Sequence, residues 1–299
     1  MKKIPLIVFL LLLALIQLAR VSAEEVNVSI YILNLGEYNP ITGSFTTDFY
    51  LHLKCNNPCS QETFEFINGR ASNINTIQDL PNEKFYRIHA NLHSPVDLKK
   101  FPFDRQRMQI ILEDANNPSE KLEYIADYGE SGIDDFIVFP GWNTDGWDAV
   151  VRDHYYPVYN ETYSQYVFTV TVSRILVSSF IKTFLPVLFI LLVVLFSFVL
   201  ATARIPERLA MSGSGLIASV MFHITISTQI PAVGYLTFAD KFMVVTYLII
   251  LTAFVFNTLI SGLIEKKKIK LAENINKYIK YKIFILAALL YIFLFMFFL

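Results

Sequence analysis

Charge is scarce in this chain. Asp, Glu, Lys and Arg make up 17% of its 299 residues, against about a quarter in an ordinary soluble domain. With 54% of the residues hydrophobic, a wholly water-soluble globule is excluded. Cysteine is scarcer still: Cys55 and Cys59, separated by Asn-Asn-Pro, are the only two. Two thiols exclude a disulfide-built scaffold and are too few ligands for a metal site. In a secreted domain they permit a disulfide that pins a tight turn. His89 and His93 stand four apart on one strand segment and read as surface or interface residues, so no metal is expected. No nucleophile, phosphate loop or paired-carboxylate signature occurs. Neither an enzyme, a cofactor nor a nucleic-acid partner is expected.

The residues that are present fall into blocks. Met1-Lys2-Lys3, an apolar run over 4–18 and Val21-Ser22-Ala23 have the basic start, hydrophobic core and small-residue end of a secretory signal peptide, assigned to 1–23. Residues 24–174 carry short runs of Val, Ile, Phe, Tyr and Thr, broken by Gly36, Pro40, Pro58, Gly69 and Pro118. Such punctuation predicts an antiparallel β-sandwich. Within it, Tyr166, Phe168, Val170 and Val172 alternate with a largely polar opposite face of Gln165, Thr169, Thr171 and Ser173. In 175–299 four apolar segments, about 177–200, 206–230, 242–263 and 283–299, predict membrane-spanning helices, because lipid leaves backbone groups no partner outside the segment. Lys266, Lys267, Lys268, Lys270, Lys277, Lys280 and Lys282 follow the third span, and Arg204 and Arg208 follow the first. Basic loops stay inside, so the sandwich is placed outside the cell membrane, extracellular or periplasmic.

The second segment is rich in Ser, Thr and Gly. Its positions Glu207, Ala210, Ser214, Ile217, Met221, Ile224 and Thr228 are spaced alternately by three and four and share one helical stripe. An acid beside a membrane span is costly unless it faces water or a partner. Identical copies around an axis would supply a lumen. In that arrangement Glu207 forms a carboxylate ring that favours monovalent cations, and Ile217, Met221 and Ile224 form apolar rings able to gate by dewetting. Periodicity alone fits equally a stripe that packs on the other three helices, with Glu207 in an interfacial loop. His223 lies off the stripe and is expected to pack on a neighbouring helix, or to serve as a proton sensor.

The run Val-Asp-Leu-Lys-Lys-Phe-Pro-Phe-Asp-Arg-Gln over 96–106, Arg174 just before the first span, Pro186 within it, Pro206-Glu207-Arg208-Leu209 opening the second and Pro231 after it together resemble the pentameric ligand-gated ion channel, or Cys-loop receptor, superfamily. Ser94 and Met108 stand where that family's bracketing cysteines fall, and the connection between the third and fourth spans is short. Both features resemble the prokaryotic branch, most of all the amine-gated bacterial channel. The family's tryptophan-proline motif before Phe64 is missing. The resemblance implies a homopentamer, each chain joined by four identical subunits around a central pore in membrane lipid, gated by a small organic agonist, an amine, or by protons. It places the agonist between subunits, against Phe66, Glu113, Tyr155, Tyr159 and Tyr163 on one side and Tyr50 and His89 on the other. It assigns coupling to Phe101, Pro102, Phe103, Asp104, Arg174 and Pro231. Pro206 and Arg208 also resemble the anion-channel pattern. The competing reading is a membrane-anchored ligand-binding protein without conduction.

Overall fold

Residues 44–55 alternate without interruption: Phe45, Thr47, Phe49, Leu51, Leu53 and Cys55 are buried, while Thr46, Asp48, Tyr50 and His52 face outward. A period of two on a pleated backbone gives one apolar face, and this pattern builds the N-terminal domain. The computed structural model describes residues 23–59 and 63–298, so the signal-peptide reading of 1–23 lies, apart from Ala23, outside the described residues. The strands are β1 (Glu24–Asn39), β2 (Ser44–Cys55), β3 (Phe64–Phe66), β4 (Gly69–Leu80), β5 (Glu83–His93), β6 (Arg105–Asp114), β7 (Leu122–Ala126), β8 (Gly132–Ile133), β9 (Trp142–Tyr156) and β10 (Glu161–Arg174). One sheet runs β4-β5-β2-β1-β7, with β8 also on β1, and the other runs β3-β6-β10-β9. Their inner faces close on a shared core that includes Ile30, Phe49, Ile88, Ile110, Leu112 and Phe168.

Strand β10 departs from simple alternation. Its core face holds Tyr166, Phe168 and Val170, yet Gln165 and Thr169 on the outer face are buried too. β10 lies between β6 and β9, whose long side chains cover it. Arg152 Nε donates to Gln165 Oε1 at 2.5 Å and Gln109 Nε2 to Thr169 Oγ1 at 3.4 Å. The outer face is thus polar but dry, which is tolerable because its groups are bonded. Cys55 and Cys59 are joined by a disulfide. The amides of Cys55 and Cys59 donate to Asn82 O and Pro81 O, which fixes this turn against the β4–β5 turn.

Four helices follow: α1 (Leu176–Phe196), α2 (Ile205–Ser227), α3 (Phe238–Glu265) and α4 (Ile269–Phe298). All four are long and apolar enough to cross a membrane. α2 carries Pro206 in its first turn and ends at Ser227 with Thr228 as C-cap, so Pro231 lies in the following connection and not at the helix end. α3 opens on a capping box between Thr237 and Asp240. α4 begins at Ile269, so from there on the basic stretch read as a loop up to about 283 is helix, and only Lys266, Lys267 and Lys268 lie in a connection. Lys, Leu, Ala and Glu are good helix formers, and hydropathy marks only the part of a helix that meets lipid. A third cluster joins the two halves of the chain: Leu98 and Phe101 from the β5–β6 connection pack with Phe184 of α1, Ile226 of α2, Phe238 of α3 and Leu294 of α4.

Candidate functional site

On α2, Glu207, Ala210, Ser214, Ile217, Met221, Ile224 and Thr228 are all exposed, whereas Arg208, Ser212, Gly215, Ser219 and Ile226 are buried. Ile217 is 68% exposed, Met221 62% and Ile224 55%. The stripe therefore does not pack on the chain's own α1, α3 or α4. Small residues set this orientation. A Cβ at Gly215 would fall 2.2 Å from Val194 Cγ2, so only glycine lets α2 lie this close to α1. Arg208 holds the inner end. Its Nε donates to Asn257 Oδ1 at 3.1 Å and its Nη2 to Asn276 Oδ1 at 2.6 Å, and its guanidinium lies 5.4 Å from the Phe198 ring centroid. Its charge is turned into the bundle while the neighbouring Glu207 is exposed.

A cleft of about 200 Å³ opens at the other end of the molecule, lined by Glu65, Glu113, Asp114, Ala115, Tyr156, Tyr159 and Tyr163. The β9–β10 hairpin supplies the tyrosines, with Tyr156 opposite Glu161 and Tyr163 opposite His154. The Tyr156 and Tyr163 rings meet edge to face at 5.6 Å. Glu113 is 2% exposed and closely engaged. Its carboxylate meets His154 Nδ1 at 2.6 Å, accepts from the Tyr156 hydroxyl at 2.9 Å, and accepts from Gln165 Nε2. Burial, reinforced by the bond to Glu113, pushes the Tyr156 phenol up to about 12, so it stays a donor at physiological pH. Asp114 accepts from the Thr63 hydroxyl at 3.1 Å and from the Asn116 and Asn117 amides at 2.9 and 2.8 Å. The Glu65 side chain makes no hydrogen bond or ion pair among the described residues and is exposed to the cleft.

The 101–104 loop is seated between the domains. Phe103 packs on Phe184, Phe238 and Phe295 at centroid distances of 5.7, 5.8 and 6.3 Å. The amides of Phe238 and Ala239 donate to Lys99 O at 2.9 Å and Phe101 O at 3.0 Å. These are first-turn donors, which have no partner inside their own helix. Buried Asp104 accepts from Arg174 Nε at 2.7 Å. The Arg174 guanidinium lies 5.1 Å from the Phe101 ring and 4.4 Å from that of Trp142. From the α2–α3 connection, the Tyr235 hydroxyl accepts from the Leu98 amide at 3.0 Å.

The chain is similar to a proton-gated ion channel of Gloeobacter violaceus. The two are 26% identical over 162 residues, which cover 54% of this chain and 45% of that protein. The matched stretch thus spans less than half of the relative's length. No family model matches the chain. The similarity agrees with the ligand-gated channel superfamily and does not single out its amine-gated branch. With four apolar helices after the sandwich, the chain is a multi-pass membrane protein with its N-terminal domain outside.

Three of the agonist residues expected from sequence, Glu113, Tyr159 and Tyr163, line the cleft, and the remainder do not. Phe66 is 9% exposed and packs at 5.8 Å on Phe49 in the sandwich core. Alternation along β3 turns Glu65 to the cleft instead. Tyr155 is exposed on the hairpin, with its hydroxyl on Asn160 Oδ1 at 3.0 Å, outside the cleft lining. Glu113 is not a free counter-charge, because in-chain groups occupy its oxygens. Tyr50 and His89 face outward from the opposite sheet, so they do not meet the cleft within one chain. Among the described residues, Pro231 makes no hydrogen bond or ring contact with the 101–104 loop. Leu98 and Lys99, just before that loop, meet Tyr235, and the carbonyls of Lys99 and Phe101 meet the first turn of α3. His154 and Gln165 were not foreseen, since they reach Glu113 only through the pairing of β10 with β9 and β6.

Proposed function

We propose that five copies of this chain surround a pore lined by the exposed face of α2, and that a ligand held between neighbouring sandwiches opens it to cations. The observation that carries this reading is the stripe from Glu207 to Thr228, which turns away from every other helix of its own chain and alternates an acid, small polar positions and three large apolar side chains. The cleft favours a small organic cation. It presents three tyrosine rings and a Glu65 carboxylate with no ion-pair partner among the described residues, and ring faces attract ammonium groups. The relative's name points to protons as the competing stimulus. Purified protein in planar bilayers, exposed to a panel of small amines and to a pH ramp, decides between them. Ligand binding without any current would favour the membrane-anchored binding protein.

Selectivity follows from Glu207. At about 8 Å and an effective dielectric near 20, one carboxylate acts on a passing ion with about 2 kcal/mol. Glu207→Gln is expected to lower the cation-to-anion permeability ratio by about tenfold or more, equivalent to ~1.4 kcal/mol. Arg208 does not oppose this at the pore surface, because it is buried against Asn257 and Asn276. A wild-type reversal potential that follows the chloride gradient would overturn cation selectivity.

Recognition follows from Tyr163, whose hydroxyl bonds Glu161 Oε2 at 2.9 Å while its ring borders the cleft. A desolvated cation–π contact contributes about 2 kcal/mol. Tyr163→Ala should therefore raise the activation midpoint for an amine by about thirtyfold, and Tyr163→Phe by less than about threefold. Equal shifts for the two variants would assign the effect to the hydroxyl.

A further inference from the structure

Two covalently independent routes lead from the 101–104 loop to the pore helix. One is the α2–α3 connection over 228–237, which contains Gly234 and has Thr228, Gln229, Ala232, Tyr235 and Leu236 exposed. Though Tyr235 is tied to Leu98 and Ile230 and Val233 touch the inter-domain cluster, so exposed a segment absorbs part of a displacement through its own dihedrals. The other route is short. The loop carbonyls of Lys99 and Phe101 take the amides of Phe238 and Ala239, so the loop is bonded to the first turn of α3. That turn is locked by its capping box, in which Asp240 Oδ2 accepts from the Thr237 amide and hydroxyl, both at 2.8 Å. The second oxygen of the same carboxylate, Asp240 Oδ1, lies 3.1 Å from His223 Nε2 on α2. His223 Nδ1 lies 2.9 Å from the Tyr247 hydroxyl, which fixes the ring from the other side. His223 adjoins Ile224, a member of the exposed stripe.

We propose that the His223–Asp240 contact carries displacement of the 101–104 loop to α2, making His223 and Asp240 positioning residues for the pore. The proposal rests on the channel reading above. One carboxylate both caps the turn on which the loop is docked and holds the pore helix, so the turn cannot move as a unit without pulling on His223 or breaking the contact. Such a pair has two discrete arrangements, made and broken, which is what a transmitting element requires. Polar pairs inside a span are few and functionally informative. Lys241, the adjacent cation, is directed elsewhere, 4.4 Å from the Phe298 ring.

The test uses the full chain in liposomes with Met221→Cys as a reporter on the stripe. The native cysteines are bonded to each other and do not compete. The rate at which a charged methanethiosulfonate modifies this cysteine is measured with and without Phe103→Ala, in three backgrounds: unchanged, His223→Gln and His223→Leu. Gln keeps a donor for Asp240 and Leu does not. The expected result is that Phe103→Ala changes the rate at least threefold in the unchanged and Gln backgrounds and not in the Leu background. The same fold-change in all three would overturn the proposal and assign transmission to the 228–237 connection. No change in any background would overturn it by disconnecting loop and pore helix. Asp240→Asn, with thermal melting as a folding check, repeats the comparison from the other partner. Current recorded from the same vesicles separates the two readings. A silent parent with the rate pattern intact counts against conduction alone, and a conducting parent without the pattern counts against this contact alone.

Discussion

Replacing Ile217 with Ser is expected to open the pore in the absence of ligand. Ile217 is the most exposed of the three apolar stripe residues on α2, and Ser214 precedes it by one helical turn. In the proposed ring, its copies would face one another and hold a dry constriction that blocks ions by excluding water. Full burial of an isoleucine contributes about 1.5–3 kcal/mol. Partial loss of this, about 1 kcal/mol for each of five subunits, amounts to about 5 kcal/mol and a change of about 10³–10⁴ in the ratio of open to closed. Spontaneous current in ligand-free bilayers, compared with Ile217→Val as a size control, measures it. If the Ser variant shows no rise in basal or evoked opening, the constriction lies at Met221 or Ile224, and the same substitution there locates it.

Phe103→Ala should separate binding from opening. The Phe103 ring is half-buried among Phe184, Phe238 and Phe295, one side chain from each of α1, α3 and α4. Removing a buried phenylalanine costs about 3–5 kcal/mol, and the lower figure suits a half-buried ring. If the docked loop is what favours the open state, about 3 kcal/mol lowers the opening equilibrium by about a hundredfold. Affinity for a ligand in the proposed cleft, which this residue does not line, should stay within about threefold of wild type. Binding and maximal current measured on the same preparation decide the matter. Equal losses of both would mean that the substitution damages folding or the site itself, and the loop would have no coupling role.

Most of the architecture could be read from periodicity because burial imposes it. β2, β5 and β10 each present an apolar face to the core, and the four spans present apolar surface to lipid. Two of the segments missed from sequence are ones where burial leaves no mark. β4 is an edge strand exposed along most of its length, so its sequence shows no alternation. The first half of α4 is lysine-rich and reads as loop to any hydrophobic criterion. The site was less legible than the fold for a related reason. Parity along a three-residue strand decided between Glu65 and Phe66, and a motif comparison does not set parity. The commitment of Glu113 arises from Tyr156 and Gln165, which lie 43 and 52 residues away in sequence. Arg208, which with Pro206 suggested an anion-channel pattern, is answered by Asn257 and Asn276 on two later helices.

In the proposed assembly, the cleft on one sheet, and Tyr50 and His89 on the outward face of the other, would give each chain two half-sites that do not meet within it. Ligand binding would then be a property of the junction between chains, linked to assembly by mass action. Whatever occupies the cleft must favour the associated state by as much as association favours the ligand. The ligand would therefore hold the oligomer together on dilution in detergent, and a dispersed subunit, though fully folded, would have nothing complete to bind it with.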